Sequence, residues 1–207
     1  MPQITDLVPQ KGKKDRVSVF LDGNFVCGLQ TLTCLEYHLK IGSDIALSDL
    51  EKMQLESDTS AAFERSINYL STRLKTEKEL RDYLKNKGYL PAVVGSVIEK
   101  LKGYKYLDDY TYAESYIRTY SGTNGRRKLE YDLSRKGVNR TLIEQALSKV
   151  QMDKGACLNL AQKYMKNKEQ TRESFAKLSR HLAGRGFGFD EINVTIRRLS
   201  QIDLEEI

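Results

Sequence analysis

The sequence predicts a mainly α-helical protein: three tandem three-helix modules, each helix-turn-helix-like, behind a small N-terminal α+β head that contains a β-hairpin. Three observations carry this. A 49-residue repeat runs from about Phe63 to Leu199. Each copy holds a basic residue, a glycine and an apolar residue in succession. The first 60 residues instead alternate as strands do, around Asp22-Gly23. The expected organisation is a head over 1–60 and repeats over 61–106, 107–151 and 152–207.

The repeat is read by shifting the chain 49 and then 98 residues. Gly88 falls on Gly137 and Gly186, Leu80 on Leu129 and Leu178, and Leu84 on Leu133 and Leu182. Lys87, Lys136 and Arg185 precede the glycines, and Tyr89, Val138 and Phe187 follow them. Two leucines one turn apart form a buried helical face. A glycine four residues later sits where a helix ends in a left-handed residue. In that ending, the residue after the glycine meets the one four before it, so Tyr89 faces Leu84, Val138 faces Leu133 and Phe187 faces Leu182. The basic residue suits the negative end of the helix dipole.

Helix starts agree. Thr76, Gly125 and Ser174 are aligned N-cap types, and Thr76 with Glu79 forms a capping box. Pro91 fits a first helical position and Asn139 a cap. The next helix carries its stripe at Val94, Ile98 and Leu101, repeated at Ile143, Leu147 and Val150 and at Ile192, Ile196 and Leu199. A leading helix is expected over 61–74, 110–120 and about 154–167, with Asp109 and Asp153 capping the latter two. The third copy starts about five residues early, so this helix is in looser register.

In the head, Val17, Val19 and Leu21 alternate before Asp22-Gly23, a strong hairpin signal. Ile4–Val8 adds a third strand. Leu32, Leu35 and Leu39 form a helical stripe ending near Gly42, and a shorter helix starts after Ser48.

Composition excludes several classes. No apolar run approaches the ~20 residues of a membrane span, and the first residues lack the order of a signal peptide. Cys27, Cys34 and Cys157 form an odd set without a disulfide framework, which fits the reduced cytoplasm and small buried hydrophobes. His38 and His181 have no partner at metal-ligand spacing. Gly23-x4-Gly28 lacks the Lys-Ser/Thr of a phosphate loop, and the glycines of 184–188 follow a helix, not a strand. Asp108-Asp109 reads as caps. No catalytic constellation, cofactor or metal is expected, so the protein is read as no enzyme.

Charge points to binding. Residues 1–61 hold 6 Lys/Arg against 9 Asp/Glu, and residues 62–207 hold 28 against 19. A basic body suits a polyanionic partner, although lysine-rich helices also simply solvate their outer faces. Lys78, Arg81 and Lys85 share one helix face. Arg126, Arg127 and Lys128 crowd a helix N-terminus, where like charge is unfavourable to the dipole but phosphate binds. Arg135, Lys136 and Arg140 follow around the turn. Six tyrosines lie between Tyr104 and Tyr120, interleaved with Lys105 and Arg118. These offer base stacking, but Tyr112 and Tyr116 read better as core, and Tyr104 and Tyr106 as a wedge between modules one and two.

At this point the chain resembles the RecX family of bacterial recombination regulators. Residues 71–80 through Lys87-Gly88-Tyr89 look like that family's first repeat. Leu107-Asp108-Asp109-Tyr110-Thr111-Tyr112-Ala113 looks like its Leu-Asp-Asp-x-x-aromatic-Ala segment. Gly125-Arg126-Arg127-Lys128-Leu129 through Lys136-Gly137-Val138 looks like its second repeat. The third matches more loosely, and the hairpin head is similar to the extension of Gram-positive members. The resemblance implies a regulator that binds the RecA recombinase along its filament on single-stranded DNA and restrains its ATPase, strand exchange and co-protease activities. It implies no cofactor, and any contact with single-stranded DNA is weak or indirect. A cytoplasmic monomer is expected. The family supplies no catalytic motif, so the ten basic candidates rest on charge and position. Longer members continue past the point matching Ile207, and a truncated form would inhibit less. The alternatives are a helix-turn-helix-like regulator of duplex DNA and a scaffold with no nucleic-acid contact.

Overall fold

The computed structural model describes residues 1–13 and 15–205, with side chains through Ser200. These form three strands and ten helices: β1 (Ile4–Pro9), β2 (Arg16–Leu21), β3 (Asn24–Gln30), α1 (Thr31–Glu36), α2 (Leu47–Leu70), α3 (Glu77–Asn86), α4 (Pro91–Gly103), α5 (Asp109–Tyr120), α6 (Arg126–Arg135), α7 (Arg140–Lys149), α8 (Ala156–Met165), α9 (Arg172–Gly184) and α10 (Phe189–Glu205). The protein is mainly helical, with three three-helix domains behind a small sheet, as the repeat predicts. The chain divides into two compact units. One holds the described residues of 1–74 and 80–107, and the other holds 75–79 and the described residues from 108 on.

In the first unit, β1-β2-β3 is an antiparallel meander. Asp22 and Gly23 have φ of 46° and 79°, the left-handed pair that a two-residue hairpin turn requires. Ile4, Val19, Leu21, Cys27 and Leu29 make the sheet's buried face, with Cys34, Ile45 and Leu50 packed on it. The expected stripe of Leu32, Leu35 and Leu39 does not face the core as a whole. Leu32 and Leu35 are 61% and 65% exposed, and only Leu39 packs on the core. The short α1 buries Thr33 and Cys34 instead.

A second correction concerns α2. The helix expected after Ser48 and the one expected over 61–74 are a single 24-residue helix, Leu47–Leu70. No glycine or proline interrupts it. Two of its serines are close-packing positions: the Ser57 hydroxyl accepts the Gln30 N–H at 2.6 Å, and the Ser66 hydroxyl donates to the Ala62 carbonyl. The helix packs Leu50 and Met53 on the sheet core and Ala62, Phe63 and Ile67 on the next. That second core is built from Leu80, Leu84, Val94, Ile98 and Leu101.

The second unit repeats this core twice. Leu129, Leu133, Ile143 and Leu147 gather with Ala113 and Ile117 of α5, and Leu178, Leu182, Ile192 and Leu199 gather with α8. The glycine stops have the expected form. Gly88, Gly137 and Gly186 have φ of 87°, 86° and 83°. The N–H groups of Tyr89, Val138 and Phe187 donate to the carbonyls of Leu84, Leu133 and Leu182 at 3.3, 3.1 and 3.3 Å.

Three expected caps shift. Asp108, not Asp109, caps α5 by accepting the Tyr110 N–H, because Asp108 holds the extended backbone a cap needs. Asp109 instead accepts the Glu77 N–H at 2.8 Å. Thr171, not Ser174, caps α9, accepting the Ser174 N–H. Asp153 binds the N–H of Gly155, which precedes α8. Thr76 and Glu79 do form the capping box, each accepting the other's N–H at 3.2 Å.

The 49-residue period also governs how segments of the second unit meet. The Thr76 hydroxyl donates to the Lys136 carbonyl at 2.8 Å. At the equivalent positions, the Gly125 N–H donates to the Arg185 carbonyl at 2.9 Å. In both places a helix start docks on the residue before a glycine stop. Backbones approach closely there: a Cβ on Gly125 would lie 2.4 Å from the Gly186 oxygen, and one on Gly186 would lie 2.2 Å from the Lys128 nitrogen.

Candidate nucleic-acid interface

The ten basic candidates divide by what they already bind. Lys136 is the most committed. Its ammonium lies 2.9 Å from Glu79 and over the Tyr112 ring. Burial lowers its pKa, but the Glu79 and Tyr112 contacts outweigh this and raise it. Burial likewise raises the Glu79 carboxyl, but the Lys136 ammonium and the Thr76 N–H bring it below its ordinary value. The Glu79 contribution to stability is therefore present above its unfolded pKa and lost as pH falls through the lower folded value. Glu79→Gln, which keeps the cap, should cost up to about 1 kcal/mol at pH 7. Urea midpoints across pH should show that difference vanishing well below pH 4.5, the ordinary value.

Lys78 donates to the Arg135 carbonyl at 3.2 Å, Arg81 is half-buried, and Lys85 is exposed in the last turn of α3. Arg118 is exposed in the last turn of α5. Lys78, Arg81 and Lys85 thus differ in exposure and in partners.

Around α6 and α7 the arrangement is denser. The N-terminal triplet of α6 is balanced one turn on, by Arg126 with Glu130 and Lys128 with Asp132, both at 2.8 Å. Arg140 at the start of α7 pairs with Glu144 at 2.8 Å. Among the described residues, Arg127 and Arg135 pair with no carboxylate. A groove of about 570 Å³ gathers Arg126, Arg127 and Arg140 with Glu130, Glu144 and Tyr131. A smaller one of about 300 Å³ holds Arg135 and Lys136 with Tyr116 and Asp132. Burial, with Asp132 alongside, pushes the Tyr116 phenol up to about 12, so it is a neutral donor.

Tyr131 is the residue the sequence reading missed. It is 57% exposed, with the Lys128 ammonium 5.4 Å and the Arg135 guanidinium 5.8 Å from its ring centre. Its signal was legible: it stands one turn after Arg127 and one turn before Arg135 on a helix. The tyrosines between Tyr104 and Tyr120 have other places. Tyr110, Tyr112 and Tyr116 pack on the module core, as expected for the latter two. Tyr104 and Tyr106 are both 59% exposed, and Tyr104 meets Phe63 edge-on. The residue after the α4 C-cap, Lys105, takes a left-handed turn that leaves both rings outside the core.

The cysteines are free and buried. Burial pushes the Cys27 thiol up to about 11, so it stays protonated and apolar. Among the described residues no three His, Cys, Asp or Glu side chains come together as a metal site. No helix among them is long and apolar enough to cross a membrane.

Family models match almost the whole chain in order. The regulatory protein RecX N-terminal domain covers residues 2–46, and the first, second and third RecX three-helix domains cover 62–101, 108–147 and 155–196. The regulatory protein RecX of Bacillus licheniformis is 31% identical over 203 residues, covering 95% of this chain and 77% of that protein. The regulatory protein RecX of Clostridium botulinum (strain Eklund 17B) is 30% identical over 210 residues, covering 99% of each. Of solved structures, a RecX from Lactobacillus salivarius aligns with a TM-score of 0.63 at 29% identity, over 70% of this chain and 97% of that one. A second RecX crystal structure aligns with a TM-score of 0.69 at 24% identity, over 96% and 100%, and shares the fold.

Proposed function

This chain belongs to the RecX family of regulatory proteins, and we propose that it regulates without catalysis, by binding the RecA recombinase filament on single-stranded DNA in the cytoplasm and restraining its ATPase, strand exchange and co-protease activities. The supporting observation is the cationic surface of α6. Arg127 and Arg135 stand two turns apart on it without carboxylate partners among the described residues, beside the groove that holds Arg126 and Arg140. Repeat proteins use their modules as binding surfaces, and the modules here are the repeats over 61–106, 107–151 and 152–207. Lys78, Arg81, Lys85, Arg118, Lys128 and Lys136 complete the contact set, with Lys136 acting mainly through its hold on Glu79.

The duplex-reading alternative has less support. In helix-turn-helix docking the last helix enters the major groove. Here α7 carries Arg140 and Lys149, and each faces an acid, Glu144 and Glu114.

The test adds purified protein to RecA on single-stranded DNA and follows ATP hydrolysis. Hydrolysis should fall, and Arg127→Ala with Arg135→Ala should require roughly tenfold more protein for the same effect. Unchanged hydrolysis at several-fold excess over filament sites would sink the proposal. Tight, sequence-selective shifts of duplex DNA would favour the alternative instead.

A further inference from the structure

We propose that Tyr131 is a stacking platform for an unpaired nucleobase, with Arg127 and Arg135 engaging the phosphates on either side of it. The inference deepens the preceding reading, since it rests on the partner filament containing single-stranded nucleic acid. It assigns a direct contact where that reading required none.

The ring has little else to do. Three tyrosines of the same module pack on its core, and two of these bind carboxylates, Tyr110 to Glu114 and Tyr116 to Asp132. Tyr131 does neither; it projects from α6 and is 57% exposed. Its neighbours on the helix are cationic in both directions. Arg127 lies one turn before and Arg135 one turn after, about 12 Å apart along the axis. Cations are drawn to an aromatic face. Lys128 and Arg135 stand 5.4 and 5.8 Å from the Tyr131 ring centre, near the outer limit of about 6 Å for such attraction and beyond the ~3.5–4 Å of ring contact. The face is therefore approached but not sealed: Lys128 is held by Asp132, and Arg135, with no carboxylate partner among the described residues, can turn from the ring to phosphate.

The surrounding charges suit a strand. Of the acids nearby, Glu130, Glu144 and Asp132 are each matched by Arg126, Arg140 and Lys128. The groove beside the ring, about 570 Å³, has room for a nucleotide adjoining the stacked one. Stacking adds affinity for any base, because every base has a π-face.

The chain contains no tryptophan, so Tyr131→Trp places a single reporter at the site. Titrating this variant with an oligothymidylate, without RecA, should quench its emission to saturation. An abasic oligomer of equal length and charge should not, and neither should oligothymidylate added to Tyr106→Trp, an exposed control outside the groove. Tyr131→Ala should weaken the oligomer's binding roughly tenfold and leave its salt slope unchanged, because no charge is removed. Arg127→Ala should lower the slope by about 0.7. Equal quenching by the abasic oligomer, or unaltered affinity in Tyr131→Ala, would overturn the proposal. The two readings fail separately. Quenching without effect on RecA hydrolysis sinks the RecA reading alone, and inhibition without quenching sinks this one alone.

Discussion

Gly186→Ala is expected to lose about 2–5 kcal/mol, more than any other single glycine replacement among the three helix stops. Two costs combine. Gly186 holds φ of +83°, where a Cβ costs roughly 1–2 kcal/mol. That Cβ would also lie 2.2 Å from the backbone nitrogen of Lys128, and overpacking typically adds about 1–3 kcal/mol. The obstacle is backbone, held by the Arg127 N–H on the Gly186 carbonyl, so it cannot swing away. Two other glycines separate the terms. Gly88 has φ of +87° but open space around it, so Gly88→Ala should show the strain alone. Gly125 has an ordinary φ of −77° but a Cβ position 2.4 Å from the Gly186 oxygen, so Gly125→Ala should show the clash alone. Urea titrations of the three variants, with amide exchange in α6 and α9, measure this. Should Gly186→Ala prove no worse than Gly88→Ala, the close approach of the two segments is wrong.

Leu133→Ala is expected to cost about 2–5 kcal/mol, and Leu32→Ala less than about 0.5 kcal/mol. Both leucines belong to helical stripes in the sequence, and only the tertiary structure tells them apart. Leu133 is fully buried among Ala113, Ile117, Leu129 and Ile143, and its carbonyl takes the Val138 N–H that closes α6. Removing its side chain leaves a cavity beside a helix end. Leu32 is mostly in water already. Urea midpoints decide the pair, and comparable losses in the two variants would contradict the packing described for α1.

Why one stripe misled and the others did not is a matter of partners. The leucines before each glycine pack within their own module, between helices less than 50 residues apart, and so their burial follows from local periodicity. The α1 stripe had to choose a side. The sheet offers one face, and small side chains at Thr33 and Cys34 let α1 sit close to it, turning Leu32 and Leu35 outward. The continuity of α2 was likewise hidden, because the repeat marks a helix start only at 61 and the segment before it is polar. The Ser57 hydroxyl is buried only because β3 delivers the Gln30 N–H to it. For the candidate interface, the basic residues were legible as a set, but their division was not. Whether a lysine is committed depends on a carboxylate that can be distant in sequence, as Glu79 is from Lys136.

The helix stops, the hairpin turn and the capping box at Thr76 were determined by the sequence alone. Each depends on backbone preferences and hydrogen bonds spanning a handful of residues, and a local cause leaves a local trace. The tertiary structure decided which cap works, which stripe is buried and which cations are committed. It also gave the repeat a second meaning. Thr76 meets Lys136 and Gly125 meets Arg185 across 60 residues, because equivalent helix starts dock on equivalent helix ends. That rule needs two segments brought together by tertiary packing, and no short window of sequence contains both.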